Sequence, residues 1–303
     1  MKFVTAEIHD RKFIGLVYEN EYVIDIQKAE QKLYDSQISP SSLQSCIEMG
    51  EKFVRHAEAL SEWIAKEQER DTFVYPLSSI KLKAPIPRPN KNIFCVGKNY
   101  RDHAVELGSE ADIPTDLIIF SKAPTTVIGH EEDIDPHLDV TNELDYEGEL
   151  AVVIGKKGKK ISEEEAFDYV FGYTIINDVT ARDLQTRHKQ YLLGKSLDTS
   201  CPMGPYIVHK SAVSNPEAIT IETKVNGETR QKASTSQMIF PIERIISVIS
   251  QGTTLEPGDI IATGTPAGVG KGFNPPKLLK PGDVVEISIE GIGTLRNKVR
   301  EAD

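Results

Sequence analysis

The sequence predicts an α+β protein, with a β-rich mixed body of rolled sheets preceded by a small α+β module. Three observations predict it. Short β-rich runs recur along the chain with turn-forming residues between them, a proline-rich stretch near residue 85 separates two textures, and few helical periodicities interrupt the second texture. Strands and helices do not alternate in the second part, so a parallel βαβ sheet is not expected there.

The first module spans residues 1–82. Lys2–Glu7, Phe13–Tyr18 and Tyr22–Ile26 read as strands, with His9-Asp10 and Glu19-Asn20 as turns. A helix is then expected from Ser39, a good N-cap, with Pro40 at the first helical position. Its apolar residues recur at Leu43, Ile47, Val54, Ala57, Leu60 and Ile64. Residues 83–91 form a linker whose three prolines, Pro85, Pro87 and Pro89, preclude helix and disfavour a central strand.

Residues 92–303 form the second, larger domain. Asn92–Val96, Leu117–Phe120, Glu149–Ile154 and Phe171–Asn177 read as strands. The lysine-rich turn Gly155–Lys160 reads as solvated surface. Ser162 with Glu165 has the spacing of a capping box opening a short helix. Val225-Asn226-Gly227-Glu228 predicts a tight hairpin, because Asn-Gly tolerates the positive φ of a type I′ turn. Glu256-Pro257-Gly258-Asp259 and Lys280-Pro281-Gly282-Asp283 are turns leading into further strands.

Composition sets the class of function. The 303 residues carry a formal net charge of -11, with 39% hydrophobic and 27% charged residues, an ordinary globular mix. That acidity argues against a nucleic-acid partner, which needs a basic face. No apolar stretch is long enough to span a bilayer, and the N-terminus lacks a signal peptide's apolar run. Three scattered cysteines suit neither a disulfide framework nor a cysteine zinc site. A cytoplasmic protein with a small-molecule substrate is the expectation.

Five segments carry residues able to do chemistry. In Asp145-Tyr146-Glu147-Gly148-Glu149, two carboxylates enter a buried strand two residues apart and so share a face. Crowded buried carboxylates repel, unless a hard cation with oxygen ligands sits between them. Two surface glutamates at a strand end is the simpler alternative. Asp178 closes the next buried strand, Phe171–Asn177, and would complete a three-carboxylate set; it would equally serve as an N-cap. His103 and Glu106 are one helical turn apart, a spacing that suits a base and its orienting carboxylate but also a plain surface pair. Lys195 lies in a loop of small residues, where an ammonium could face a developing anion or simply be solvated. The glycines of Thr263-Gly264-Thr265-Pro266-Ala267-Gly268 allow backbone N–H groups to approach an anion closely, and Lys271 comes soon after.

Taken together and in this order, these segments resemble the fumarylacetoacetate hydrolase family over residues 90–295. The resemblance is carried by Gly97-Lys98-Asn99-Tyr100 with His103 and Glu106, by Asp145-Tyr146-Glu147-Gly148-Glu149, and by Asn177-Asp178 with Ala181-Arg182-Asp183-Leu184-Gln185. The Gly194-Lys195-Ser196, Cys201-Pro202 and Thr263-Gly264-Thr265-Pro266 segments complete it. It implies one Mg²⁺ or Mn²⁺ per subunit held by Glu147, Glu149 and Asp178, a catalytic His103–Glu106 dyad with Lys195, and Arg101, Arg182, Gln185 and Thr265 as substrate-binding residues. It implies a homodimer, and leaves open a protein partner for the N-terminal module. The expected reaction is decarboxylation of oxaloacetate or a similar 2-oxo diacid to pyruvate and CO₂ through a metal-stabilised enolate. Hydrolysis of an acylpyruvate, an isomerase or decarboxylase of aromatic catabolism, and a catalytically idle scaffold are the alternatives.

Overall fold

The computed structural model describes residues 1–302. The N-terminal block opens with β1 (Lys2–Ile8), β2 (Arg11–Tyr18) and β3 (Tyr22–Asp25), where the sequence places strands. Asp25 then caps α1 (Ile26–Tyr34) by accepting from the Lys28 N–H. This nine-residue helix is not among the expected elements. The single helix expected from Ser39 is instead two, α2 (Leu43–Glu48) and α3 (Glu51–Ile64). The cap of α2 is Ser42, because Ser39 is engaged elsewhere: its N–H and hydroxyl both donate to the buried Glu30 carboxylate. Gly50, at φ 59°, interrupts the helical run between the two. Two short strands complete the block, β4 (Val74–Pro76) and β5 (Lys81–Lys83).

The second part runs β6 (Ile93–Gly97), α4 (Arg101–Glu106), β7 (Ile118–Lys122), β8 (Val127–Ile128), β9 (Leu144–Asp145), β10 (Gly148–Ile154), β11 (Val170–Asn177) and β12 (Thr180–Ala181). It continues with α5 (Arg182–His188), α6 (Leu192–Lys195), β13 (Cys201–His209), β14 (Thr220–Val225), β15 (Glu228–Ser234), α7 (Ile242–Ser250), β16 (Ile260–Ala262), β17 (Val284–Ile289) and β18 (Gly293–Lys298). The Asn226-Gly227 turn joins β14 to β15 with both residues at positive φ, 52° and 79°, as a type I′ hairpin requires. Ser162 does accept from the Glu165 N–H, but the helix beyond it is only a single 3₁₀ turn, Ala166–Tyr169.

Most strands join one large mixed sheet, ordered β4-β3-β2-β1-β13-β11-β10-β16-β6-β7, with β5 also on β1 and β8 also on β13. Its ladders are antiparallel except for β16–β6 and β13–β8. The N-terminal strands therefore extend the larger sheet, through Lys2↔Val208 and Phe3↔Ile207. The proline-rich stretch is a packed crossing: Ala84, Pro85 and Ile86 are buried, and the Pro85 carbonyl accepts from the Thr5 hydroxyl at 2.7 Å. A separate sheet, β15-β14-β17-β18, lies over one face of the large one.

The continuous apolar run of β10 reflects burial on both faces. Leu150, Val152 and Ile154 pack with the four-stranded sheet and α7, while Ala151 and Val153 pack with Phe3 and the helices α2 and α3. Each such aliphatic side chain contributes roughly 1.5–3 kcal/mol when fully buried. That packing holds the entrance of β10, where the carboxylates sit. The three cysteines are free and buried. No described helix is long and apolar enough to cross a membrane.

Candidate metal centre

Two strand ends meet at the site. In the β10–β11 ladder Gly148 lies opposite Asn177. The Glu147 N–H donates to the Asn177 side-chain carbonyl at 3.0 Å, and the Asp178 N–H donates to the Glu147 carbonyl at 2.8 Å. These bonds fix the residue before β10 against the residue after β11. Glu147, Glu149 and Asp178 are consequently brought together, each buried, each offering an oxygen within 4.8 Å of the other two. Hard oxygen donors converging at that spacing suit a divalent cation such as Mg²⁺ or Mn²⁺.

The surrounding cations do not neutralise the set evenly. The Lys195 ammonium donates to Glu147 Oε2 and Asp178 Oδ2, both at 2.7 Å. Lys122, wholly buried on β7, donates to Asp178 Oδ1 at 2.8 Å and to the Val179 and Lys195 carbonyls. Arg182 donates from Nε to Asp145 Oδ2 at 2.9 Å, and its Nη2 lies 2.7 Å from Glu147 Oε1 without hydrogen-bond alignment. Burial pushes Glu147 up, but the Lys195 and Arg182 charges outweigh it and hold this carboxyl at about 2. Glu149 goes the other way. Burial, then the Asp178 and Glu147 charges, raise its carboxyl well above the ordinary range. Its oxygen accepts only from the Gly264 N–H, at 2.8 Å, and it has no ion-pair partner among the described residues. One carboxylate short of a cation is what a metal-binding donor set looks like, so the residues present fit a divalent ion.

Across the same cleft lies the dyad. His103 Nδ1 donates to Glu106 Oε1 at 2.9 Å; a carboxylate only accepts, so this bond puts the ring proton on Nδ1 and leaves Nε2 as the basic atom. Glu106 is held in turn by the Gly268 N–H, at 2.9 and 3.1 Å from its two oxygens. The glycine loop thus grips two of the protein's own carboxylates, Glu149 through Gly264 and Glu106 through Gly268, where the sequence left its anion unspecified. Both glycines need positive φ, 99° and 102°, and a Cβ on Gly268 would lie 1.9 Å from the Arg230 carbonyl oxygen.

His103, Glu147, Glu149, Arg182, Gln185, Lys195, Thr265 and Lys271 line one cleft of about 450 Å³. Gln185 accepts from Arg182 Nη1 at 3.2 Å, and Thr265 donates to the Gly148 carbonyl at 3.0 Å. Arg101 is not brought there: its side chain is 61% exposed, pairs with Glu110 and lines a separate pocket. α4 turns the face of His103 and Ala104 inward and leaves Arg101 exposed. Sequence reasoning also missed Lys122 and the structural role of Asp145. Asp145 accepts from Arg182 Nε, the Gly270 N–H at 2.7 Å and the Lys271 N–H at 3.0 Å, tying α5 to the loop after β16. Lys122 ends an apolar strand as Asp178 does, the one signal that could have drawn attention to it. A larger cleft, about 850 Å³, runs along the seam of the N-terminal block near Tyr22, Leu82 and Tyr206, and it holds none of these residues.

Comparison with known proteins gives a consistent set of relatives. The model of the fumarylacetoacetate hydrolase C-terminal family matches residues 92–300. The chain is 59% identical over 300 residues to a protein named oxaloacetate tautomerase YisK of Bacillus subtilis (strain 168), covering 99% of this chain and 100% of that one. Among solved structures, a fumarylacetoacetate hydrolase from psychrophilic Exiguobacterium antarcticum superposes with a TM-score of 0.82 at 40% identity, each chain covered fully. A 5-carboxymethyl-2-hydroxymuconate delta-isomerase from Mycobacterium smegmatis superposes with a TM-score of 0.75 at 31% identity, again over 100% of both chains.

Proposed function

Since the chain belongs to the fumarylacetoacetate hydrolase family, we propose that it is a metal-dependent enzyme that enolises oxaloacetate, interconverting its keto and enol forms. The observation that carries this reading is His103, held by Glu106, in the same cleft as Glu147 and Glu149 of the three-carboxylate set. The 59% identity to a protein named oxaloacetate tautomerase supports the choice of substrate and reaction.

The chemistry is a balanced proton transfer. His103 Nε2 takes a proton from C3, the electron pair forms the C2–C3 double bond, and the keto oxygen becomes an enolate oxygen. The same imidazole returns the proton to that oxygen, which gives the enol. Glu106 holds the ring in the tautomer this needs and stabilises the imidazolium. Arg182 and Lys195, both buried, place fixed positive charge beside the developing oxyanion. A divalent ion held by Glu147, Glu149 and Asp178 supplies Lewis-acid polarisation of the 2-oxo acid.

Decarboxylation, the expectation from sequence, passes through a related enolate: the C3–C4 bond breaks, CO₂ leaves and C3 is protonated to pyruvate. Two assays on the purified protein separate the reactions. Decay of the enol absorbance of oxaloacetate reads tautomerisation, and a coupled pyruvate assay reads decarboxylation. We expect the first to exceed the metal-only background with Mg²⁺ or Mn²⁺. No acceleration above that background overturns the reading, and pyruvate released as fast as enol decays replaces it with decarboxylation. Cleavage of acetylpyruvate to acetate and pyruvate would instead make the chain a C–C hydrolase. Homodimerisation stands with this reading as a proposal that light scattering tests.

A further inference from the structure

The mouth of the cleft differs from its floor. At the floor the side chains of Glu147, Glu149 and Lys195 are at most about 5% exposed. At the mouth stand three lysines, Lys98, Lys189 and Lys271, with side-chain exposure of 27% for Lys98 and 40% for Lys271, and Lys189 exposed. In a chain with a net charge of -11, three ammonium groups around one opening depart from the average surface.

The backbone places them there by unusual means. Lys98 and Lys189 both adopt positive φ, 54° and 58°, in the region that side chains other than glycine rarely occupy. Lys271 is fixed differently, by the bond from its N–H to the buried Asp145 carboxylate. Their own counter-ions are few. Lys98 meets Asp112 at 3.4 Å, Lys271 meets Glu143 at 2.7 Å, and Lys189 has no ion-pair partner among the described residues.

We infer that Lys98, Lys189 and Lys271 form a second anion subsite that binds the distal carboxylate of the substrate, so the enzyme selects 2-oxo dicarboxylates over 2-oxo monocarboxylates. This rests on the proposed reading in which the floor takes the 2-oxo acid end. With the α-oxo acid head at the carboxylate set and His103, a carboxylate two carbons away points to the mouth. The glutamate and aspartate now on Lys271 and Lys98 are surface groups that a substrate carboxylate can replace. Lys189 is the site's unshared charge.

Two arms test it separately from the reaction. In the binding arm, calorimetry with Mg²⁺ compares malate with lactate, inert 2-hydroxy acids that share a head and differ in the distal carboxylate. We expect malate to bind at least about tenfold more tightly, and Lys189→Met or Lys271→Met to reduce that ratio by roughly tenfold, in line with losing one hydrogen bond between charged groups. Lys189→Arg and Lys271→Arg should restore it. A malate preference that survives both methionine variants, or no preference at all, overturns the subsite. In the kinetic arm, kcat/KM for oxaloacetate is compared with that for its 4-ethyl ester. The preference for the diacid should fall in the same variants; equal losses on both substrates would mark a merely structural role and overturn the inference. Absence of turnover with both substrates, beside an intact and lysine-dependent malate preference, would remove the proposed reaction and leave the subsite.

Discussion

Glu149→Gln is expected to stabilise the metal-free protein while abolishing metal binding. Glutamine keeps the shape and the bond from the Gly264 N–H, and removes only charge. In the native protein the Glu149 carboxylate lies within 4.8 Å of oxygens of both Glu147 and Asp178. At an effective dielectric of about 20, two unit charges about 4.8 Å apart repel by roughly 3.5 kcal/mol. Glu149 faces two such carboxylates, about 7 kcal/mol in all, and the Lys195 ammonium offsets roughly half, so about 3 kcal/mol of net relief is expected once the pH is high enough to ionise Glu149. For a chain of this length, with about 0.6 kcal/mol/K of unfolding entropy, that is roughly 5 °C in Tm. The sign with pH is set by the raised carboxyl. A folded value above the unfolded 4.5 contributes stability that is complete below 4.5 and is lost as pH rises toward the folded value. Melting curves in EDTA from pH 5 to 8 should therefore show the native protein losing ground with pH and the variant losing less. Added Mg²⁺ should raise Tm of the native protein and leave the variant unmoved. A variant in EDTA that melts at or below the native temperature at pH 8 would refute the argument.

The same geometry fixes the outcome of other perturbations. His103→Asn should lower turnover at least about 100-fold, the usual scale for a general base, while metal-induced stabilisation persists in thermal shifts. Lys122→Met strips a buried carboxylate of one ammonium and should cost about 3–5 kcal/mol, read by denaturant unfolding. Gly264→Ala forces a side chain onto φ 99° with its Cβ 2.7 Å from Asn99 Cβ; a loss of about 1–3 kcal/mol and weaker metal binding are expected, the second because the Gly264 N–H orients Glu149. Metal binding itself should release a proton wherever the pH lies below the raised Glu149 value, since Glu149 must ionise to ligate; calorimetry in buffers of different ionisation enthalpy reads it.

Much of this is legible in the sequence because strand periodicity carries it. Glu147 and Glu149 share a face by the two-residue repeat of a strand, and Leu150 to Ile154 mark a strand buried on both sides. His103 and Glu106 meet because three residues make one helical turn. The features hidden from the sequence depend on contacts distant along the chain. Lys122 reaches Asp178 across 56 positions, and Asp145 reaches Gly270 across 125, so no local spacing announces either. The α2 start is misplaced by sequence because Ser39 and Ser42 are equally good caps until the buried Glu30 carboxylate claims the first. The N-terminal block looks separable by composition, yet a strand pairing between Phe3 and Ile207 ties it into the larger sheet. Arg101 stands on the exposed side of α4, where it pairs with Glu110.

Everything proposed for the cleft depends on Glu147, Glu149 and Asp178 jointly holding a divalent cation. Anomalous diffraction from crystals grown with Mn²⁺ tests it most directly. One strong peak is expected within about 2.0–2.4 Å of an oxygen from each of the three carboxylates. A site with no peak at millimolar Mn²⁺, or a peak bound by other residues while Lys195 still bridges Glu147 and Asp178, would contradict it.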